Sequence, residues 1–588
     1  MCVHFYLKWI PLFVICILEI YKRGNYRMKN KIVELLSAQI ESMSAEEING
    51  LLEIPPKADM GDFAFPCFKL AKVFRKAPQM IAADLKEQIG CPEFLSRVEV
   101  MGGYLNFFVD KAMFAKQIVE NYLADNNYGG PAEKNGKTIC IDYSSPNVAK
   151  NFHVGHLRTT IIGNSLNKIF TKLGYKVERI NHLGDWGTQF GKLIVAYKNW
   201  GSKEAVEENG IDELMRIYVK FHDEAELNDA LNDEARAWFT KMEQGDEEAL
   251  SIWKWFREIS LKEFMRVYEL LGIDFDSYAG ESFYNDKMQP VIEEIKTKGL
   301  IKVSDGAQIV ELEDYNMPPC LITKKDGSTL YATRDITAAL YRKNTYDFEK
   351  CIYVTGLEQK LHFAQWFKVI ELMGYDWSAN LMHVPYGLVS LKGGKLSTRK
   401  GHVIYAEDIL NEAIQKTRNI IEEKNPNIPD KDEVAKQVGI GAVIFNDLYN
   451  QRIKDVIFDW DKLLNFDGET GPYVQYTYAR AASVIRKIGD VPAVYDYSVL
   501  ADDASMALLK EIARYPQVVA DAAEKLEPFV VSRYAVALAQ AFNKFYHDCQ
   551  INVEDENVKY TRANVVLIVK AILKDALSLL GIGCPEQM

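Results

Sequence analysis

Apolar residues change their spacing several times along this chain, and each change predicts an element. MKNKIVELLSAQI, from Met28, has helical periodicity; Ile54-Pro55-Pro56 interrupts it, and Gly103 to Val109 then reads as a strand. Thr138 to Tyr143 is a short β-branched run suited to a buried strand, and Ser144 to Phe152 is a turn-rich connection. A helical period begins at His153, with Leu157, Ile161, Ile162, Leu166, Ile169 and Phe170 on its inner side and Gly174 as its stop. Lys176 to Asn181 is a second strand, so the three elements form a βαβ crossover and predict a parallel, doubly wound sheet of Rossmann type. Residues 200–272 are helical and charge-rich around Leu214, Phe221, Trp238, Trp253 and Phe264, which reads as a solvated helical insertion. Mixed α/β patterning returns from Ile273 to about Trp377, and from about Ala406 the chain is almost wholly helical. There Val474, Tyr478, Ala481 and Ile485 make an apolar stripe, with Tyr476, Arg480, Ser483 and Lys487 beside it.

These patterns divide the 588 residues, too many for one core, into four parts. An apolar extension covers 1–27, a small α+β domain 28–134, a Rossmann-type domain 135–405 with the insertion inside it, and an all-α bundle 406–588. The apolar run Trp9 to Leu18 is about half the length of a membrane span and lacks a signal-peptide cleavage site. Met28 opens a cleaner helix, so 1–27 is expected to be a start-site artefact or a disordered extension. Val565 to Leu580 is also apolar, but Lys570, Lys574 and Asp575 interrupt it, so a core helix is predicted and no membrane partner. A formal charge of −12 argues against a general attraction to nucleic acid and leaves room for local basic patches. One such patch follows Phe63, Phe65 and Phe68 and contains Lys69, Lys72, Arg75 and Lys76. The nine cysteines have no CxxC spacing and no Cys/His cluster, which points to free thiols in a reducing cytoplasm and to no protein-bound zinc or other metal.

The chemistry gathers where the first predicted Rossmann strand meets its helix. His153, Gly155 and His156 stand at a helix N-terminus, where free N–H groups and the positive end of the dipole favour a phosphate. Two imidazoles three residues apart share a face and can both donate to one phosphate, and Gly155 lets a flat ring such as adenine approach the backbone. The plainer alternative is a pair of capping or core histidines. A second landmark is HVPYGLVSLKGGKLSTRKGHVIY, His383 to Tyr405, a strand leading to a loop with Lys392, Lys395, Arg399 and Lys400 among Gly393, Gly394, Ser397 and Thr398. That composition makes an anion cradle, or, taken alone, an exposed basic hairpin.

HVGH after a strand resembles the HIGH signature of class I aminoacyl-tRNA synthetases. The longer SSPNVAKNFHVGHLRTTIIGNSL resembles its form in the arginyl-tRNA synthetase family, where a Ser-Pro-Asn-x-Ala-Lys run precedes the signature. HLGDWGTQFG is similar to a stretch of that family, and the basic loop stands where class I enzymes have KMSKS, with Leu396 and Thr398 departing from that pattern. GYLNF is similar to a strand of the family's N-terminal domain, and GPYVQYTYARAASVIRK resembles the opening of its DALR-type anticodon-binding domain.

The resemblance covers nearly everything after Met28 and implies roles for particular residues. His153 and His156 would stabilise the α-phosphate of ATP; Lys395 and Lys150 would draw charge onto the leaving pyrophosphate, Lys150 replacing the lysine absent at Thr398, with Arg399 in reserve. Gly155, Gly184, Asp185, Gln189 and Ser397 would meet the nucleotide. A guanidinium substrate needs carboxylates, an aromatic face and an amide oxygen. Glu281, Tyr331, Asp335 and Gln359 match the family's arginine-binding positions, and Asn147 would hold the amino-acid backbone. Asn106 and Phe108 would contact bases at the tRNA elbow, and Tyr473, Gln475, Tyr476 and Arg480 unpaired bases of the anticodon. The function implied is ATP- and Mg2+-dependent joining of L-arginine to tRNA(Arg) through arginyl-adenylate, in a cytoplasmic monomer, with adenylate formation requiring bound tRNA. Two other readings stand beside it: a non-catalytic RNA-binding paralogue, and an HxGH nucleotidyltransferase acting on a small molecule.

Overall fold

The computed structural model describes residues 26–325, 327–391 and 405–588. The apolar run Trp9 to Leu18 lies outside them, as do Lys395, Ser397 and Arg399.

A parallel sheet holds the centre. Thr138–Asp142 pairs with Lys176–Ile180 on one side and with Lys350–Gly356 on the other, and Leu381–Tyr386 adds to the far edge of Lys350–Gly356. The first strand in sequence is therefore internal, and the connections leave it in opposite directions. That is the topological switch point, and a crevice opens where the strands end. The crossover helix Val154–Lys172 follows the predicted start, and the chain turns at Gly174, whose φ of 81° suits a residue without a side chain. At the end of the first strand of this sheet, Asp142 pairs with Arg342 at 2.7 Å, both side chains buried; this ion pair fixes that strand end to the helix Tyr331–Tyr346.

The insertion is three helices, Lys203–Leu227, Ala230–Glu243 and Glu247–Leu271, around a core of Leu214, Ile217, Phe221, Trp238 and Phe256. It is not simply a solvated appendage, because the last helix lays Phe264 and Tyr268, both fully buried, against Phe152 in the loop before His153. A small antiparallel sheet, Ile301–Ser304, Ala307–Val310 and Cys320–Thr323, was not separable from loop in the sequence. Its strands are four residues each, too short for alternation to register.

Before the central sheet, Tyr104–Val109 pairs antiparallel with Phe63–Pro66 and Leu95–Met101, backed by the helix Pro78–Ile89; the next helix, Lys111–Leu123, packs against the helix Asp503–Lys525. After it come Ala406–Lys424, Lys431–Leu448, Gly471–Ile488, Asp503–Lys525, Phe529–Asp548 and Glu556–Leu579, a helical bundle. The stripe of Val474, Tyr478 and Ala481 is buried in that bundle. Arg158 fastens bundle and sheet together: its guanidinium, 1% exposed, donates to the carbonyls of Gly387, Leu388, Arg452 and Lys454 at 2.7–3.0 Å. Among the described residues no helix is long and apolar enough to cross a membrane.

Candidate active site

The strand ends open onto a cavity of about 660 Å³. His153, Gly155 and His156 line it together with Asn147, Gly184, Glu281, Tyr331, Asp335 and Gln359. Residues from 147 to 359 in the chain are thus brought to one space by the switch point of the sheet.

The two histidines are both caps and donors. His153 is the N-cap of its helix; its Nδ1 accepts from the Gly155 N–H at 3.0 Å, while the His153 N–H donates to His156 Nδ1 at 3.3 Å. The rings stack with centroids 3.8 Å apart. An Nδ1 that accepts a backbone N–H carries no proton, so each neutral ring holds its hydrogen on Nε2. Burial lowers the His153 imidazole, helped by the Lys150 charge, and pushes His156 down to about 3, helped by His153 and Lys150. Both are neutral at pH 7 and present one N–H each. Lys150 does not line the cavity but stands close enough for its charge to act on both rings. Gly155 is needed for a reason the sequence did not suggest: a β-carbon there would come within 2.9 Å of His153 Cε1 and disturb the cap.

The loop preceding the histidines is held in an unusual shape, with Ser144, Ser145 and Ala149 at φ of 71°, 43° and 59°. Thr159, Thr160 and Asp142 restrain its first residues, and the insertion adds two further ties. Ser260 Oγ accepts from the Ala149 N–H at 2.9 Å, and Ser144 Oγ meets Tyr268 OH at 2.7 Å. Asn147 then reaches Gly184 in a one-residue parallel bridge, and a β-carbon at Gly184 would overlap Asn147 Oδ1.

Among the carboxylates of the lining, Asp335 Oδ2 accepts from His362 Nε2 at 2.5 Å, and Glu281 Oε2 lies 3.5 Å from Arg334 Nη1. Burial pushes the Glu281 carboxyl up to about 7 against the pull of Arg334, and the nearby Asp335 and Asp185 act in the same sense as burial. Its proton is therefore in play near neutral pH. His362 and His182 also line the cavity and were missed from sequence. A histidine three residues beyond Gln359, on a helix opening at Lys360, was the available signal for the first. His182 had none, since its partner Arg342 Nη2, at 3.4 Å, lies far along the chain.

Several predicted contacts are corrected. Asp185 is fully buried and off the cavity, its carboxylate filled by Arg257 and Ser282. Gln189, on the helix Thr188–Trp200, does not line the cavity either. Asn106 is 1% exposed and donates to the Met60 carbonyl, and Phe108 is buried under the Arg97 guanidinium, 3.6 Å from its ring centre, so neither offers an edge or face to a base. What that domain exposes instead is Phe68, Val73, Phe74 and Met80 among Lys69, Lys72, Arg75 and Lys76. In the helical bundle Gln475 is wholly buried, donating to the Gln437 and Gly583 carbonyls, and Tyr473 OH accepts from Asn543. Tyr476 and Arg480 do face a cavity, of about 810 Å³, with Lys487, Tyr546 and His547. Arg480 lies 5.0 and 5.5 Å from the ring centres of Tyr476 and Tyr546, a cationic-aromatic surface suited to stacked bases.

Comparison with known proteins gives consistent matches. Residues 118–460 match the family model "tRNA synthetases class I (R), catalytic domain", 474–588 match "DALR anticodon binding domain", and 29–109 match "Arginyl tRNA synthetase N terminal domain". The chain is 57% identical to an arginine–tRNA ligase of Alkaliphilus metalliredigens over 564 residues, covering 95% of this chain and 99% of the relative. It is 57% identical to that of Clostridioides difficile over 562 residues, with the same coverage of 95% and 99%. Among solved structures, the arginyl-tRNA synthetase of Thermus thermophilus superposes with a TM-score of 0.77 at 25% identity, covering 95% of this chain and 99% of that one. The arginyl-tRNA synthetase of Plasmodium falciparum shares the fold, with a TM-score of 0.76 at 24% identity over 96% of this chain and 99% of that one.

Proposed function

The chain belongs to the arginyl-tRNA synthetase family, and from that premise we propose how its residues divide the chemistry of joining L-arginine to tRNA. The activity is ATP-dependent ligation: the arginine carboxylate attacks the α-phosphorus of ATP, pyrophosphate leaves, and the arginyl group passes from the adenylate to the terminal ribose of tRNA(Arg). A small-molecule nucleotidyltransferase would leave the N-terminal and DALR domains without use, and that alternative is set aside.

The observation that carries the assignment of residues is the meeting of two neutral Nε2–H donors with the carboxylates of Glu281 and Asp335 in one cavity. His153 and His156 would donate to the α-phosphate oxygens as charge builds on them. Asp335 and Glu281 would take the guanidinium, with Tyr331 and Gln359 beside them and Asn147 at the amino-acid backbone. Gly155 and Gly184 would leave room for the nucleotide. Lys150 would act on the leaving phosphates; by resemblance Lys395 shares that role with Arg399 in reserve, and Ser397 meets the nucleotide. Catalysis of this kind is positioning and charge stabilisation, with no protein nucleophile. Magnesium would come with the ATP phosphates. Of the cavity carboxylates, Asp142, Glu281 and Asp335 face Arg342, Arg334 and His362, Glu358 lines the same space, and among the described residues no cluster is placed to hold a metal. No step is assigned to a protein-held cation. The bundle cavity at Tyr476 and Arg480 would take unpaired anticodon bases. Phe68 and Phe74 with their basic neighbours would meet the tRNA elbow. The free cysteines among the described residues fit the cytoplasm.

Pyrophosphate exchange into ATP, run with each amino acid in the presence and absence of tRNA, tests the reading. Exchange is expected with arginine and tRNA together; exchange with another amino acid, or none at all, would refute it. Glu281 adds a pH dependence. Arginine keeps its positive charge throughout, so it binds the ionised carboxyl, and below about pH 7 binding must expel a proton from Glu281. The KM for arginine is expected to be flat above pH 7.5 and to rise as pH falls below 7, approaching tenfold per unit. A KM unchanged between pH 6 and 8 would rule out Glu281 as the titrating ligand.

A further inference from the structure

The helix Glu247–Leu271 belongs to the insertion, yet one face of it reaches the arginine side of the cavity through buried intermediaries. Trp253 Nε1 donates to the Asp185 carbonyl at 2.7 Å. Arg257 Nε donates to Asp185 Oδ2 at 2.9 Å, and its Nη2 donates to the Tyr278 carbonyl at 3.2 Å. Asp185, with no exposed surface, accepts further from the Ser282 N–H at 2.8 Å and Ser282 Oγ at 2.9 Å. Glu281 lies between two clamped neighbours. Ser282 is held by Asp185, and Gly280 is packed so closely that a β-carbon would meet Leu183 O at 2.6 Å and Asp185 Oδ1 at 2.7 Å. The Glu281 N–H itself donates to Leu183 O at 2.9 Å.

We propose that Arg257 is a positioning residue for arginine recognition: from the helical insertion, it sets the place and the charge of Glu281 through Asp185 and Ser282. The proposal rests on the assignment of Glu281 to the substrate guanidinium. A planar guanidinium suits the task, because one rigid fork joins the Asp185 turn to the Tyr278 turn, which a lysine cannot do in the same way. It also supplies the positive partner of a buried carboxylate. Without it, Asp185 would be left uncompensated close to Glu281. The charged and polar groups facing Glu281 are Arg334 and Asp335 from the helix Tyr331–Tyr346, and Asp185 with the Trp186 backbone N–H from the turn. Loss of Arg257 disturbs the last two and leaves the first two in place.

The test uses the full chain with tRNA, measuring arginine-dependent pyrophosphate exchange from pH 6 to 8.5 for Arg257→Met, Arg257→Lys, Ser282→Ala and Glu281→Gln. Arg257→Met is expected to raise the arginine KM about tenfold or more, with a much smaller change in kcat and in the KM for ATP. The midpoint of its KM–pH profile should move upward, and Arg257→Lys should restore part of both. Ser282→Ala, a change that leaves the buried ion pair whole, should raise KM in the same direction by less; it carries the test if Arg257→Met fails to fold. A lowered Tm and kcat with KM and midpoint unmoved would overturn the proposal, leaving Arg257 as a structural tie alone. If Glu281→Gln raises KM while the Arg257 and Ser282 variants do not, only this inference falls. If Glu281→Gln itself leaves the arginine KM unchanged, the assignment of Glu281 falls first.

Discussion

Replacing His153 by alanine is expected to slow arginyl-adenylate formation by about a hundredfold or more, the usual effect of removing one donor to a developing oxyanion. Affinity for tRNA should stay within error. The structure allows a sharper version. His153 serves the helix through Nδ1 and would serve the substrate through Nε2, so the two functions sit on different atoms of one ring. Asparagine can imitate Nδ1, since its oxygen accepts as a good N-cap, but it has no donor at the Nε2 position. Glutamine does the reverse. If the substrate role is correct, His153→Asn keeps the Tm and loses activity almost as fully as alanine, while His153→Gln loses some stability and retains more activity. Equal activity of wild type and the asparagine variant would reduce His153 to a cap. Because burial lowers the His153 imidazole and pushes His156 down to about 3, kcat is also expected to show no titration of His156 between pH 6 and 8. A donor that is already neutral needs no proton transfer to act.

The second large effect is expected at Asp335. Its Oδ2 is committed to His362 at 2.5 Å, which restrains the carboxylate of a residue that lines the cavity. Asp335→Asn keeps the shape and an acceptor for His362 but removes the charge that a guanidinium requires. Losing one partner of a hydrogen-bonded charge pair costs about 2–5 kcal/mol when it is desolvated. The Asp335 side chain is 26% exposed, which places the expectation at the lower end, a rise in arginine KM of roughly 30- to 300-fold. The KM for ATP should not move, because the nucleotide side of the cavity is built from other segments. Steady-state exchange at varied arginine and fixed ATP decides this, and a parallel loss in both constants would mean that the variant had damaged the site as a whole.

Elements and their order were legible from local pattern. The β-branched run at Thr138 to Tyr143, the helical period after His153 and the second strand from Lys176 together predict the crossover that is present. Periodicity of this kind is a property of neighbours in sequence, and it survives folding because backbone hydrogen bonding is local in helices and repetitive in strands. The residues that the family resemblance names for a guanidinium substrate were likewise legible as a group. Asn147, Glu281, Tyr331, Asp335 and Gln359 all line the one cavity.

Orientation was decided by packing between distant segments. Asp185, Asn106 and Gln475 have the chemistry of ligand contacts, yet each is turned inward to a partner far along the chain: Arg257, the Met60 carbonyl and the Gly583 carbonyl. A buried polar group must find a hydrogen-bonding partner, and a backbone carbonyl or an arginine satisfies it as well as a base or a phosphate would. Which of these it meets depends on what the fold brings alongside. The same packing turned a charge-rich insertion into the support of the signature loop, through Ser260 and Tyr268. Order along the chain specifies the pieces and their chemical kinds, whereas long-range burial selects which side chains remain free to meet a substrate.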